Sequence, residues 1–104
     1  KDGKLDGLYV EWYENGQKKS EENYKDGKED GLWVEWWDNG QKKSVGDYKS
    51  GEKDDLWVWW DLRGHETSVK MYEDGRRLYP TITEIRFLRE MVLPKEDPRA
   101  LRDN

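Results

Sequence analysis

A mainly β chain, an antiparallel meander of about three 24-residue β-hairpin repeats capped by a C-terminal α-helix, follows from three features of this 104-residue sequence. The first is repetition. Residues 1–24 and 25–48 agree at 17 of 24 positions, residues 25–48 and 49–72 at 11, and a fourth copy starts at Glu73-Asp74-Gly75 before breaking off. A fixed period of this size marks a repeat architecture. The second feature is hydrophobic alternation of period two within each copy, which is the strand period. The third is a turn dipeptide at fixed offsets: Asn15-Gly16 and Asn39-Gly40 within units, Asp26-Gly27 and Ser50-Gly51 between them.

Composition bounds the core and the partners. Charged residues make up 41% and hydrophobic residues 33%, a balance that by itself points to disorder. Seven Trp, six Tyr and one Phe reverse that reading, because each buried ring removes roughly 150–250 Å² from water. A thin, aromatic core is expected. The net charge of −5, with acids and bases interspersed, offers no basic face to a phosphate backbone, so nucleic acid is disfavoured. Without cysteine there is neither a disulfide framework nor a thiolate metal site. No apolar run approaches the roughly 20 residues of a membrane helix, and no signal-peptide pattern is present. Lys1-Asp2-Gly3-Lys4 repeats as Lys25-Asp26-Gly27-Lys28, so the sequence starts at a repeat junction without Met. A fragment or processed product of a longer chain is the expectation, and the compartment stays open, with the cytoplasm favoured unless an upstream signal was removed.

The elements follow in order. In the second unit Leu32, Val34 and Trp36 share one face, and Trp33, Glu35 and Trp37 the other. Asn39-Gly40 turns the chain, both residues tolerating positive φ, and a polar return strand runs over about 41–48. Gly7 and Gly31, at the start of the outgoing strands, predict a bulge or bend. Asp55 stands there in the third unit, so the bend is expected to relax. Val69 and Met71 enter the third return strand, as suits a terminal repeat covered by something else. Thr81-Ile82-Thr83-Glu84 is a capping box ahead of a run in which Ile82, Ile85, Leu88 and Val92 share a helical face, widened by Phe87 and Met91. Pro94 stops it. This short helix is expected to pack on the final hairpin and cap its edge. The units are thus 1–24, 25–48, 49–72 and a partial 73–79, followed by a capping helix and tail over 80–104.

Gly31, Trp33, Trp36, Trp37, Asn39, Gly40, Tyr48 and Gly51 form a Gly-x-Trp-x-x-Trp-Trp-x-Asn-Gly core followed by a Tyr-x-x-Gly turn. This resembles the bacterial variant of the MORN repeat, over residues 1–79. Trp12, Trp36 and Trp60 stand where that family often has Tyr, and the third unit departs at Asp55, Asp61 and Arg63. The resemblance implies an elongated, twisted, single-layer antiparallel sheet that binds or scaffolds without catalysis. Bacterial members are often labelled antitoxins or immunity-type partners, and classical members associate with membranes, lipids and protein assemblies.

Two residue sets stand out. Gly7, Gly16, Gly31, Gly40, Gly64, Trp12, Trp36, Trp60, Tyr24, Tyr48 and Tyr72 recur with the period and read as structural. Tyr9, Tyr13, Trp33, Trp37, Trp57 and Trp59 form a candidate binding strip on the other face. Such a strip stacks on sugars, cations or a peptide, or else shields the second face of a thin sheet through cross-strand pairing. Glu11 and Glu35 fall two strands apart, roughly 9–10 Å, near the spacing of an inverting glycosidase pair. Trp59 breaks their row and no loop encloses them, so an open charged face is the better reading. His65, the lone histidine, has no evident partner, and Ser20, Ser44 and Ser68 recur as structural residues. Lys18-Lys19 and Lys42-Lys43 read as a solvated, ion-paired face beside Glu21, Glu22 and Asp47. No catalytic, cofactor or metal site is expected. The partner expected is a protein, with carbohydrate as the alternative and lipid surface as the weakest reading.

Overall fold

The computed structural model describes residues 3–84, 86 and 87. Seven strands, β1 (Gly7–Trp12), β2 (Lys18–Lys25), β3 (Lys28–Trp36), β4 (Lys42–Lys49), β5 (Glu52–Trp60), β6 (Glu66–Glu73) and β7 (Arg76–Leu78), form one antiparallel sheet in sequential order. The 24-residue hairpin repeat is therefore the construction unit.

Two turn types alternate along its margins. Asp26-Gly27, Ser50-Gly51 and Asp74-Gly75 have positive φ at both residues, the two-residue type I′ geometry that matches strand twist. At Asn15-Gly16 and Asn39-Gly40 only the glycine is left-handed. There Gly40 N–H donates to Trp37 O at 3.0 Å and Trp37 N–H to Gln41 O at 2.7 Å, a type I turn with a glycine bulge. The sequence expectation of two positive-φ residues at Asn-Gly is corrected. Asparagine serves instead as a bracket: Asn39 Oδ1 accepts from Gln41 N–H, and its Nδ2 donates to Leu62 O of the next turn at 2.9 Å. Asn15 reaches Asp38 O in the same way.

The expected bulge is present. Between Glu22 and Tyr24 the β2–β3 register jumps from Trp33 to Glu29, around Gly31 at φ 103°. Two extra residues preserve side-chain parity, so the two faces stay as the alternation implies. The third unit corrects the reading of Asp55: at φ 66° it keeps the left-handed bend, one of the few non-glycine types that tolerates it. The preceding carboxylates hold each bend to the neighbouring turn, Asp30 Oδ1 accepting from Ser50 N–H at 3.1 Å and Asp54 Oδ1 from Asp74 N–H at 3.4 Å.

One face carries the aliphatic core. Val34, Val45, Leu56 and Val58 are buried, with Leu32, Trp36, Trp60, Val69 and Met71 packed against them. A cross-strand row runs Val10, Glu21, Val34, Val45, Val58, Val69 from β1 to β6. The other face carries aromatic rings.

The C-terminal helix begins as its capping box demands: Glu84 N–H donates to Thr81 Oγ1 at 3.1 Å and Thr81 N–H to Glu84 Oε1 at 2.9 Å. Its described residues do not cover the final hairpin, since Ile82 is 75% and Phe87 64% exposed. Docking as a cap is therefore not a feature of this first turn. Ile85, Leu88, Met91, Val92 and Pro94 lie outside the described residues.

Candidate binding face

The aromatic face is a continuous ladder. Tyr9, Tyr24, Trp33, Tyr48 and Trp57 meet edge to face at centroid distances of 6.2, 6.2, 4.9 and 5.1 Å, and Trp57 then stacks on Trp59 at 5.9 Å. Four of the six strip residues expected from sequence are in it. Tyr24 and Tyr48, assigned there to structure alone, supply the missing rungs. Their signal was available: each pairs with the bulge glycine of the preceding strand, Gly7 with Tyr24 and Gly31 with Tyr48.

Tyr13 and Trp37 stand apart at the turn margin and bind units together. Tyr13 OH donates to Trp36 O at 2.7 Å, and Trp37 Nε1 to Trp60 O at 3.2 Å. Asp61 replaces the ring in the third unit and braces its own turn, accepting from Arg63 and His65 N–H at 2.9 Å each. Those backbone donors, His65 first, hold its carboxyl below the usual range. Exposed His65 sits with Nδ1 3.6 Å from Asp61 Oδ2.

The ladder is unevenly covered. Tyr9 is 48% exposed and Trp57 only 2%. Trp57 lies flat over Gly46 of β4, where any Cβ would fall inside the indole, and its Nε1 donates to Asp47 O at 3.0 Å. That ring is core. Trp33 stands opposite Gly46 in the β3–β4 register and remains half-buried.

Charge divides the same face. In the first two units Glu22 and Glu29 occupy the places that Lys70 and Lys53 take later. Lys53 Nζ stands 5.1, 5.3 and 5.4 Å from the rings of Trp57, Trp59 and Tyr72, and Lys70 Nζ 5.4 Å from Trp59. Toward β1 the rings meet carboxylates instead. Buried Ser20 donates to Glu22 at 3.1 Å and lies 3.4 Å from Glu11, while Ser44 donates to Glu35 at 2.9 Å. Tyr24 OH donates to Glu22 at 3.0 Å. Burial first, then that bond and the charges of Glu22, Glu29 and Glu11, push its hydroxyl up to about 12. Burial and the charges of Glu29 and Glu35 raise Tyr48 as well. Glu11 and Glu35 do lie two strands apart, with Ser20 paired between them.

The lysine pairs split between faces. Lys18 stands over Trp12 and Trp36 and pairs with Glu21 at 2.7 Å, whereas Lys19 covers Tyr13. Lys42 and Lys43 likewise separate onto Trp60 and Trp37. No helix among the described residues is long and apolar enough to cross a membrane.

A single-layer sheet grown by hairpin repeats, with repeat-to-repeat bonds at both margins, defines a β-hairpin repeat module. Residues 5–26 and 29–50 each match the family model described as MORN repeat variant, whose repeats generally serve as modules for binding and scaffolding. The third unit lies outside the match and joins the series through its geometry. Comparison with curated proteins and with solved structures found no match.

Proposed function

We propose that this chain is a non-catalytic module that holds a basic segment of a partner protein across Tyr9, Tyr24, Trp33 and Tyr48. The observation that carries this reading is the change of sign along the aromatic face. At its C-terminal end the chain's own Lys53 and Lys70 stack on the rings. At its N-terminal end the matching positions are Glu22 and Glu29, so rings and carboxylates stand together, as a lysine or arginine from outside requires. Each cation–ring contact contributes about 0.5–2 kcal/mol and each exposed ion pair about 0–1 kcal/mol. Several together support weak, salt-sensitive binding.

An antitoxin- or immunity-type partnership is the specific form that the family resemblance suggests. Carbohydrate binding is less well supported, because sugar stacking needs an open ring face. Trp57, one of the rings such a strip would use, offers none at 2% exposure. An anionic lipid surface is disfavoured by Glu11, Glu22 and Glu35 on the same face.

Titration with a Lys/Arg-rich peptide of about ten residues, followed by tryptophan fluorescence, tests the proposal. Binding is expected to weaken about tenfold or more in Glu22→Lys and Glu35→Lys with an unchanged far-UV spectrum. Equal affinity for a Glu-rich peptide, or retention on polysaccharide without peptide binding, overturns it.

A further inference from the structure

Strands β3 and β5 present the same frame in the same register. Gly31 faces Tyr48, Trp33 faces Gly46 and Glu35 faces Ser44, just as Asp55 faces Tyr72, Trp57 faces Lys70 and Trp59 faces Ser68. In the third unit that frame carries its own cation. Lys53 Nζ lies 5.1 Å from the Trp57 ring, 5.3 Å from Trp59 and 5.4 Å from Tyr72. One repeat earlier the same four places hold Glu29, Trp33, Glu35 and Tyr48. The Trp and the Tyr are kept, the lysine becomes a carboxylate, and the second indole becomes another. All four are half-buried residues of β3 and β4, inner strands with a neighbour on each side, so their surroundings do not depend on the margins of the sheet.

We propose that this place is a socket for one unmethylated lysine of the partner, its ammonium over Trp33 and Tyr48 and between the carboxylates of Glu29 and Glu35. The inference rests on the reading of this face as a surface for a basic segment, and names the residue that segment supplies. Lys53 shows the class of group the frame takes, and the exchange of Lys53 for Glu29 turns an occupied place into one of complementary charge. After burial, the charges of Glu29, Glu35 and Glu22 raise the Tyr48 hydroxyl, so the carboxylates converge on the ring that an incoming cation meets. Geometry then selects among cations. Trp33 and Tyr48 meet at 4.9 Å and 62°, a corner that suits a compact ammonium better than a planar guanidinium, which stacks flat on a ring. Glu35 Oε1 already accepts from Ser44 Oγ at 2.9 Å, which engages one of the two oxygens a guanidinium fork takes together. The two carboxylates accept N–H bonds that a trimethylated ammonium, the guest of all-aromatic cages, cannot donate.

Three peptides of about ten residues and equal charge, built on lysine, arginine or trimethyllysine, test the socket against the full chain by tryptophan fluorescence. The lysine peptide is expected to bind about threefold or more tighter than either of the others, with its ε-methylene protons shifted upfield by ring currents. Glu29→Lys installs the third unit's own residue, and is expected to fill the socket from within and remove the lysine preference. Glu14→Lys makes the same charge change in an exposed turn, and is expected to keep that preference. Arginine or trimethyllysine peptides that bind as tightly as lysine overturn the socket and leave the basic-segment reading standing, whereas no binding by any of the three overturns both. Equal losses in Glu14→Lys and Glu29→Lys also overturn it, since net charge would then explain the effect. Should Glu29→Lys disturb folding, Glu29→Gln decides in its place, with a loss of lysine preference expected and an unchanged preference against the proposal.

Discussion

Leu8 and Leu56 hold the same place in the repeat, yet Leu8 is 61% exposed and Leu56 fully buried. The same contrast separates Trp12, at 61%, from Trp36 and Trp60, which pack on the core. In a single-layer sheet a side chain is buried by its neighbours on the same face. An inner strand has them on both sides and an edge strand on one. Stability in such a protein is therefore a property of position in the array as much as of the residue.

The largest expected effect tests that statement directly. Leu56→Ala should cost about 3 kcal/mol, within the range for fully buried leucines, whereas Leu8→Ala should cost about 0.5 kcal/mol in dilute solution. Urea denaturation of both variants checks it. Equal losses would mean that β1 is covered in solution.

A smaller contrast lies in the bends. Gly31 at φ 103° and Asp55 at φ 66° serve the same bulge. An added Cβ at Gly31 meets only the Asn23 side chain, at ordinary contact distances of 3.4 and 3.8 Å, so the cost of Gly31→Ala comes from backbone conformation, about 1–2 kcal/mol. Asp55→Gly relieves that strain but loosens the unfolded chain, and the net change should stay within about 1 kcal/mol. Thermal unfolding of the two variants measures the difference. A neutral Gly31→Ala would show that the bend is not held left-handed.

The smallest effect is titration, and it separates the same regions by pH. Tyr24 is raised from the ordinary 10.0 to about 12. Its contribution is therefore whole below pH 10 and lost as pH rises from 10 to 12. Melting temperature should fall across that window, less steeply in Tyr24→Phe. Asp61, lowered by backbone donors, contributes in the opposite direction: its share is present above about pH 4 and lost as pH falls further. An Asp61→Asn variant should flatten the acid limb alone.

Much of this architecture is legible in one sequence. The period, the three hairpins, the division of Leu32, Val34 and Trp36 from Trp33 and Glu35, the bulge glycine and the Thr81–Glu84 capping box all rest on local chemistry. Each is decided within a few residues by alternation, φ tolerance or a side-chain bond to nearby backbone. Tertiary structure decided what depends on the strand next door. Trp33 and Trp57 are the same letter in the same repeat position, but Trp57 alone has a surface to lie flat on, because the empty space over Gly46 takes its indole and leaves Trp33 half-covered. Asn39 looks like half of a tight turn and is instead the bracket between two turns, since its second partner, Leu62 O, comes from the following repeat. Period two assigns a ring to a face, while cross-strand packing decides whether that ring becomes core or stays open to a partner.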